Sequence, residues 1–373
     1  MVDVVSEAVS MIESAVGRLR NVFASGRRWV GIRFGAGLAM IGVALALALV
    51  AADAVQAAQV NVYSERKEAL IKPLFDRFTE TTGIEVRLVT AGASELHERL
   101  VAEGADSPAD LLITVDAGNL HRAKLAGLLQ PVESAVLTGN IPVRFRDPGN
   151  MWFGLSLRAR VIVYAKDRIR ADQLSSYEDL ADPKWRGRLV VRSSSNVYNQ
   201  SLIASMIAAH GIDQAEAWAA GLVANFARDP KGGDTDQIMA VAAGEADLAI
   251  ANSYYYGRMV ASDDQRDRDA VAKTGIFFPN QSDRGTHVNV SGAGVTRAAK
   301  NRDLAIRLLE FMAGDQGQRL FAELNHEFPV RPGIARSAVV AAWGDFKIDP
   351  LDLAVLGENN MEAIRLADRA GWR

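Results

Sequence analysis

The sequence predicts an α/β fold with a mostly parallel sheet, because short β-type runs alternate with amphipathic helical stretches from residue 59 onward. The first run, VNVYS at 60–64, is followed by a helical stripe at 67–82 that Gly83 closes, and then by IEVRLVT at 84–90. Further strands are predicted at 111–115, 160–164, 189–192, 248–251 and 275–278. Further helices are predicted at 94–102, 199–210, 236–243, 298–313 and 316–324.

Composition is that of an ordinary globular protein and excludes several functional classes. The 373 residues are 49% hydrophobic and 23% charged, and this length favours about two domains. A net charge of -3 provides no field that would attract a polyanion, so we expect no nucleic-acid partner. The absence of cysteine excludes disulfides, thiolate metal sites and cysteine nucleophiles.

The N-terminal segment has the pattern of a secretory signal peptide. Residues 36–52 form a 17-residue run without charge, AGLAMIGVALALALVAA, and arginines precede it. Small residues at 54, 57 and 58 provide a processing site before Gln59. We therefore predict a signal peptide with an extended n-region over 1–58. An uncleaved membrane anchor is the alternative, because the run is close to the lower length limit for a spanning helix.

One set of short motifs suggests a serine acyl hydrolase. SERK at 64–67 fits S-x-x-K, SSN at 194–196 loosely fits the S-D-N element, and KTG at 273–275 fits K-T-G. That chemistry needs its serine at the start of a helix within a built domain, whereas Ser64 ends the first predicted strand. This hypothesis is kept as the alternative from a different functional class.

The unusual chemical feature is a run of three tyrosines, Tyr254, Tyr255 and Tyr256, directly after the predicted strand 248–251. Open α/β sheets place their ligands beyond the carboxyl ends of parallel strands, so adjacent phenols there can project into a crevice. Phenol oxygens suit a hard, highly charged cation, and ferric iron fits best. An aromatic cluster with satisfied hydroxyls is the alternative. The five histidines show no paired ligand spacing that would support zinc or copper.

Residues 59–373 resemble the ferric-iron-binding periplasmic proteins of bacterial ABC importers, a transferrin-like bilobal solute-binding family. The iron-specific part of the resemblance is a tyrosine in RVIVY combined with the tandem tyrosines after IANS. The stretches that carry the resemblance are VNVYSERKEALIKPLFDRFTETTGIEV, SPADLLITVDAGNLHRAKLAGLLQPV, SLRARVIVYAKDRI, SYEDLADPKWRGRL, GEADLAIANSYYYGR and GTHVNVSGAGVTRAAKN.

The resemblance implies a two-lobed periplasmic-binding-protein fold with a hinge of crossing strands and an interlobe cleft. Lobe one would comprise 59–158 and 284–333, and lobe two 159–283 and 334–373. The implied function is capture of ferric iron in the periplasm and delivery to a membrane permease driven by a cytoplasmic ATPase, without catalysis. We expect the protein to be a monomer.

The resemblance also implies which residues bind the metal. It assigns Tyr164, Tyr254 and Tyr255 as phenolate ligands. Some family members add a histidine or a His-Tyr pair from the first strand-to-helix turn, but 64–68 is SERKE here. Others add a glutamate at the position of Val115. Three phenolates would leave an octahedral ferric ion about three positions to be filled by water or by a bidentate anion.

The implied anion is carbonate or citrate. Arg158, in SLRAR, matches the family arginine that holds it, and a guanidinium fork suits a bidentate oxyanion. Ser195 and Asn196 are weaker anion candidates, since they serve equally well as helix caps. A related importer for a polyamine, sulfate, thiamine or a phosphonate is the alternative within the binding class.

Overall fold

The structure is a computed structural model that describes residues 58–373. The predicted signal peptide, 1–58, lies outside the described residues apart from Ala58. Within 58–373, no helix is both long and apolar enough to cross a membrane.

Strands and helices alternate along the described chain, as predicted, with short 3₁₀ turns between some of them. The strands are β1 Gln59–Ser64, β2 Glu85–Thr90, β3 Leu111–Thr114, β4 Phe153–Ala165, β5 Leu189–Val190, β6 Leu248–Asn252, β7 Thr274–Phe277, β8 Val288–Val295 and β9 Phe328–Pro329. The helices are α1 Glu68–Thr82, α2 Ala93–Glu103, α3 Ala117–Leu125, α4 Ala135–Asn140, α5 Val197–His210, α6 Ile212–Ala224, α7 Asp234–Ala243, α8 Ser253–Val260, α9 Gln265–Lys273, α10 Arg302–Ala313, α11 Asp315–Asn325, α12 Ala338–Ala341, α13 Ala354–Glu358 and α14 Asn360–Arg369.

The first helix shows how the apolar pattern sets the packing. In α1 the buried side chains are Ile71, Leu74, Phe75 and Phe78, spaced three and four residues apart so that they share one face. Gly83 then ends the helix at a φ of 70°, a backbone conformation that glycine adopts without strain. The predicted helix and its terminator are both confirmed.

The sheet is mixed rather than mostly parallel. Its strands follow the order β2-β1-β3-β8-β4-β6-β5, and β7 and β9 also pair with β4. β1 runs parallel to both β2 and β3, and β5 runs parallel to β6. β8 and β4 are antiparallel to their neighbours. The parallel prediction is therefore right at both ends of the sheet and wrong in the middle.

The long strand β4 connects the two parts of this two-lobed fold. Its first half, 153–159, pairs with β8, whereas 160–164 pairs with β6. The sequence predicted only the second half and missed β8, because buried polar residues such as Ser156 and Asn289 interrupt the apolar pattern there. The lobe boundaries inferred from the resemblance stay a prediction.

Candidate metal centre

A cavity of about 150 Å³ brings together side chains from distant parts of the sequence. With the predicted boundaries, four of the lining residues belong to lobe two and the other eight to lobe one. The lobe-two residues are Tyr198, Tyr254, Tyr255 and Arg258. The lobe-one residues are Glu65, Arg66, Lys67, Leu70, Val115, Arg158, Ser291 and Glu327.

Three phenols converge on this cavity. The hydroxyl oxygens of Tyr198 and Tyr254 lie 3.2 Å apart. The rings of Tyr254 and Tyr255 stack with centroids 4.3 Å apart. Tyr256 points elsewhere, since its hydroxyl donates to the carbonyl of Thr274 at 2.8 Å. The structure therefore brings Tyr254 and Tyr255 together as predicted and adds Tyr198, for which the sequence analysis gave no site role.

The sheet topology explains why these phenols meet. β5 and β6 are parallel neighbours, so their carboxyl ends lie at the same edge of the sheet. Tyr198 lies in the first turn of α5, the helix that follows β5, and Tyr254 lies in the first turn of α8, which begins directly after β6. Each phenol is thus presented beyond the carboxyl end of its strand.

Tyr164, predicted as a metal ligand, does not line this cavity. It lies in β4 and pairs with Leu248, the first residue of the antiparallel strand β6. The tyrosine run follows the other end of β6, about 15 Å away for a strand of this length. The ring of Tyr164 instead covers Gly275, where a Cβ would lie 2.6 Å from Cζ of the tyrosine. Its placement is a packing contact.

Two of these phenols, Tyr198 and Tyr254, hold their protons more tightly than a free tyrosine does. Burial raises the pKa of both Tyr198 and Tyr254, and the charges of the neighbouring phenol groups add to this rise. The guanidinium of Arg158 acts in the opposite direction on both. A cation bound among these oxygens must therefore supply the free energy that displaces their protons.

Two buried guanidiniums, those of Arg66 and Arg158, also line the cavity. Arg66 donates to Oγ of Ser291 at 2.7 Å and to Oε2 of Glu327 at 2.7 Å. Arg158 donates from Nη2 to the same Ser291 oxygen at 2.6 Å. The same Nη2 lies 4.0 Å from Oε1 of Glu327. Glu327 thus neutralises Arg66 more closely than Arg158, which keeps most of its capacity for an anion.

The predicted anion residues have different positions. Arg158 lines the cavity and is 2% exposed, and its Nε and Nη1 atoms have no hydrogen-bond partner among residues 58–373. Ser195 and Asn196 do not line it. Asn196 caps α5, because its side chain accepts from the backbone N–H of Tyr198 at 3.0 Å. Oγ of Ser195 pairs with that of Ser193 at 2.8 Å.

Glu65 is a lining residue that the sequence analysis did not select. Its Oε2 accepts hydrogen bonds from the backbone N–H of Val115 at 3.0 Å and from Asn119 at 3.2 Å. Burial raises the pKa of Glu65 despite these two donors. Its position in the first strand-to-helix turn, where family members place ligands, is the signal that would have identified it.

The buried carboxylate of Asp234 binds groups that contact or precede the tyrosines. Asp234 accepts from Arg160 at 2.6 Å, from Arg192 at 3.2 Å and from the backbone N–H of Asn252 at 2.7 Å. Both guanidiniums lie against the ring of Tyr198, at 5.9 Å and 5.3 Å from its centroid. Since Asn252 directly precedes the tyrosine helix α8, Asp234 fixes both halves of the phenol cluster.

The hydrolase motifs do not assemble into one site among the described residues. Ser64 is fully buried and its Oγ accepts from the backbone N–H of Arg66 at 3.1 Å. Lys67 lines the cavity, whereas Ser195, Asn196 and the KTG segment at 273–275 do not. Residues 58–373 also contain no cluster of three or more histidine, aspartate or glutamate side chains arranged to hold a metal.

Comparison with known proteins identifies the family. The model of a family described as bacterial extracellular solute-binding protein matches residues 106–342. The chain belongs to this family. Its members with curated descriptions include two close relatives from Synechocystis sp. strain PCC 6803. Iron uptake protein A1 is 48% identical over 315 residues, which cover 84% of this chain and 88% of that protein. Iron uptake protein A2 is 51% identical over 320 residues, which cover 85% and 91%.

A solved family structure has the same two-lobed architecture. The Trichodesmium protein IdiA (FutA), determined in complex with iron and citrate ligands, matches with a TM-score of 0.82 at 49% identity. The match covers 84% of this chain and 100% of that chain. The fold predicted from the resemblance is confirmed.

Proposed function

We propose that this protein captures ferric iron in the cavity through the phenolates of Tyr198, Tyr254 and Tyr255. The observation that carries the proposal is the convergence of three tyrosine side chains on one cavity that is also lined by an incompletely paired guanidinium, Arg158. Anionic oxygen ligands match a hard trivalent cation. Relatives named for iron uptake, and a structure holding iron and citrate, support the same cargo.

Three phenolates fill about half of an octahedral coordination shell. A bidentate oxyanion such as carbonate or citrate supplies two more oxygens and is held by the free Nε and Nη1 donors of Arg158. Its negative charge also compensates Arg158, a buried cation with no carboxylate at hydrogen-bond distance among residues 58–373. Glu65 lines the same cavity and is the candidate for a further oxygen ligand.

Delivery follows from the two-lobed architecture. The lining residues come from both predicted lobes, so a hinge motion that separates the lobes opens the cavity and breaks the coordination shell. We propose that the protein works outside the inner membrane, in the periplasm, and passes iron to an ABC permease driven by a cytoplasmic ATPase. It performs no catalytic step.

The test is a titration of the purified protein with ferric nitrilotriacetate, followed in the visible spectrum. We expect a phenolate-to-iron charge-transfer band that saturates at one iron per protein. Changing Tyr254 and Tyr255 together to phenylalanine should abolish the band while the far-ultraviolet circular dichroism stays unchanged. A protein that develops no band with ferric iron would instead be an importer component for another solute.

A further inference from the structure

The carboxyl group of Asp116 forms a buried hydrogen bond with a residue of the other predicted lobe. With the predicted boundaries, Asp116 belongs to lobe one, where it directly follows Val115, a residue that lines the metal cavity. The hydroxyl of Ser201, in lobe two, lies 2.8 Å from Oδ2 and 2.9 Å from Oδ1 of this carboxyl. Both side chains are fully buried, so bulk water does not compete for the bond.

This bond lies away from the segments in which the chain crosses between the predicted lobes. Gln281, for example, donates to Thr286 at 2.9 Å across the boundary at 283–284, where the chain itself keeps the two residues close. Among the side-chain hydrogen bonds of residues 58–373, the bond between Asp116 and Ser201 is the one interlobe bond with neither partner at a crossing. A hinge motion that separates the lobes therefore breaks it.

The two partners belong to elements that shape the metal cavity. Ser201 lies on α5, three residues after Tyr198, and residues three apart are neighbours on a helix surface. Asp116 caps α3, because its side chain accepts from the backbone N–H of Gly118 at 2.7 Å. Asn289 of β8 also donates to Asp116, at 2.8 Å. The bond thus joins the start of α3 to the helix that presents one of the phenols.

The surroundings of the bond are closely packed. α13, which belongs to the predicted lobe two, lies against α3 of lobe one: a Cβ on Gly357 would lie 2.3 Å from Cβ of His121. At the start of α3, a Cβ on Gly118 would lie 3.8 Å from the carbonyl oxygen of Leu356. Closure of the lobes therefore excludes water from the carboxyl of Asp116, which then needs donors from the protein.

We propose that Asp116 and Ser201 form an interlobe latch that holds the lobes closed and keeps the helix of Tyr198 against lobe one. This inference rests on the proposed function and on the predicted lobe boundaries. When the lobes separate, water solvates the carboxyl; when they close, the hydroxyl of Ser201 replaces that water. Without the hydroxyl, closure would bury the carboxyl with one donor fewer. Neither residue lines the metal cavity, so both are positioning residues rather than ligands.

Ser201→Ala tests the latch in the iron-loaded protein. The variant removes the hydroxyl and leaves all three phenols in place, so the maximum of the visible band should not move. Since the lobes must separate to release iron, loss of the latch should make the transfer of iron to a chelator about tenfold faster. A release rate equal to that of the parent protein would overturn the proposal.

Ser205→Ala is the matched control. Ser205 is also fully buried and lies one turn further along α5, but its hydroxyl donates to the carbonyl of Leu202 in the same helix at 2.7 Å. Both variants remove a buried hydroxyl from one helix, and only Ser201→Ala removes a bond between the lobes. Ser205→Ala should release iron at the parent rate. Equal acceleration in the two variants would show a general loosening of α5 and would contradict the latch.

A distance measurement on the iron-free protein tests the latch directly. The sequence contains no cysteine, so nitroxide labels attach only at the introduced positions, Lys72→Cys on α1 and Arg266→Cys on α9. These side chains are 54% and 82% exposed and belong to different predicted lobes. Pulsed electron paramagnetic resonance should show a shorter and a longer separation of the labels in the parent protein, for the closed and open lobes.

Ser201→Ala should lower the ratio of the shorter to the longer separation about tenfold, and Ser205→Ala should leave this ratio unchanged. A ratio that is the same in Ser201→Ala and in the parent would refute the latch. Because this measurement uses no iron, it is independent of the iron titration. Absence of the visible band would refute iron capture, whereas unchanged label distances would refute only the latch.

Discussion

The hydroxyl oxygens of Tyr198 and Tyr254 lie 3.2 Å apart, although 56 residues separate the two tyrosines along the chain. Each follows one of two parallel neighbouring strands, β5 and β6, and lies in the first turn of the next helix. The phenol pair is therefore a consequence of the sheet topology, and its oxygens face the cavity before any metal is present.

Tyr198→Phe should weaken iron binding, whereas Tyr164→Phe should not. Removing one of three phenolate oxygens reduces the charge-transfer intensity and lowers the iron affinity at least tenfold, which corresponds to about 1.4 kcal/mol. Tyr164→Phe removes the same hydroxyl from a ring that covers Gly275 instead of lining the cavity. Competition with citrate measures both affinities. Loss of the band in Tyr164→Phe, with the band retained in Tyr198→Phe, would refute the assignment.

Most of the secondary structure could be predicted because its signals are local. Amphipathic stripes identified six of the fourteen helices in residues 58–373, namely α1, α2, α5, α7, α10 and α11, and β-type runs identified seven of the nine strands at least in part. The tyrosine run was correctly placed just after β6. The resemblance correctly directed attention to Tyr254, Tyr255 and Arg158 as residues near one site. β8 was missed because its polar residues face the buried site rather than solvent.

The third phenol could not be identified without knowing strand directions. Tyr164 was selected because the resemblance to the iron-binding family implies a ligand at the tyrosine of RVIVY. β4 runs antiparallel to β6, however, and this places Tyr164 at the opposite end from Tyr254. Tyr198 follows β5, which is parallel to β6, and that relationship is visible only in three dimensions.

Asp234→Asn should perturb the metal centre although Asp234 does not line the cavity. A neutral amide cannot balance both Arg160 and Arg192, so the support behind Tyr198 loosens. We expect a shifted charge-transfer maximum and about tenfold weaker iron retention. Arg192→Gln, which removes the less buried guanidinium, should cause a smaller shift in the same measurement.

Asp247→Asn is the matched control for Asp234→Asn. Asp247 also accepts from two arginines, Arg168 and Arg188, but it precedes β6 and is partly exposed. This variant should leave the position of the visible band unchanged. If both aspartate variants shift the band equally, the effect is a general loss of stability and Asp234 has no positioning role.

Arg158→Ala should make iron retention insensitive to the oxyanion. The parent protein should hold iron more tightly when bicarbonate or citrate is added, because the anion bridges the metal and the guanidinium. Arg158→Lys keeps the charge but loses the fork, so it should recover only part of the dependence. The check is the rate of iron loss to a chelator with and without the anion. An unchanged anion dependence in Arg158→Ala would exclude this residue.

Gly357→Ala should destabilise the packing of α13 on α3. A Cβ at this position would lie 2.3 Å from Cβ of His121, so the two helices would have to separate. We expect a loss of about 1–3 kcal/mol in the free energy of unfolding by urea. Gly139→Ala in α4 is the control, since a Cβ there meets no atom of the described chain, 58–373, within 4 Å. Gly139→Ala should instead stabilise the protein by about 0.4–1 kcal/mol. Equal changes in unfolding free energy for Gly357→Ala and Gly139→Ala would contradict the close approach of Gly357 to His121.

Asp116 should give the protein an unusual dependence of stability on pH. Its carboxylate is fully buried, and accepts from the hydroxyl of Ser201 at 2.8 Å, from Asn289 at 2.8 Å and from the backbone N–H of Gly118 at 2.7 Å. Burial nevertheless raises its pKa to about 7, with Arg158 opposing the rise. Between about pH 4 and pH 7 the folded state therefore binds the proton more tightly than the unfolded state.

The contribution of Asp116 to stability is thus largest below about pH 4 and falls as the pH rises to 7, by up to about 4 kcal/mol. Asp116→Asn removes this dependence, so the difference in unfolding free energy between variant and parent should grow in favour of the variant from pH 5 to pH 7. Taking this difference cancels the contributions of the histidines, which titrate alike in both proteins.

The pKa of Glu178 is lowered to about 2 by its partners Asn280 and His210, so this carboxyl stays ionised throughout the range. Urea denaturation at pH 5, 6 and 7 measures the difference, and a value that does not change with pH would show that Asp116 is ionised throughout.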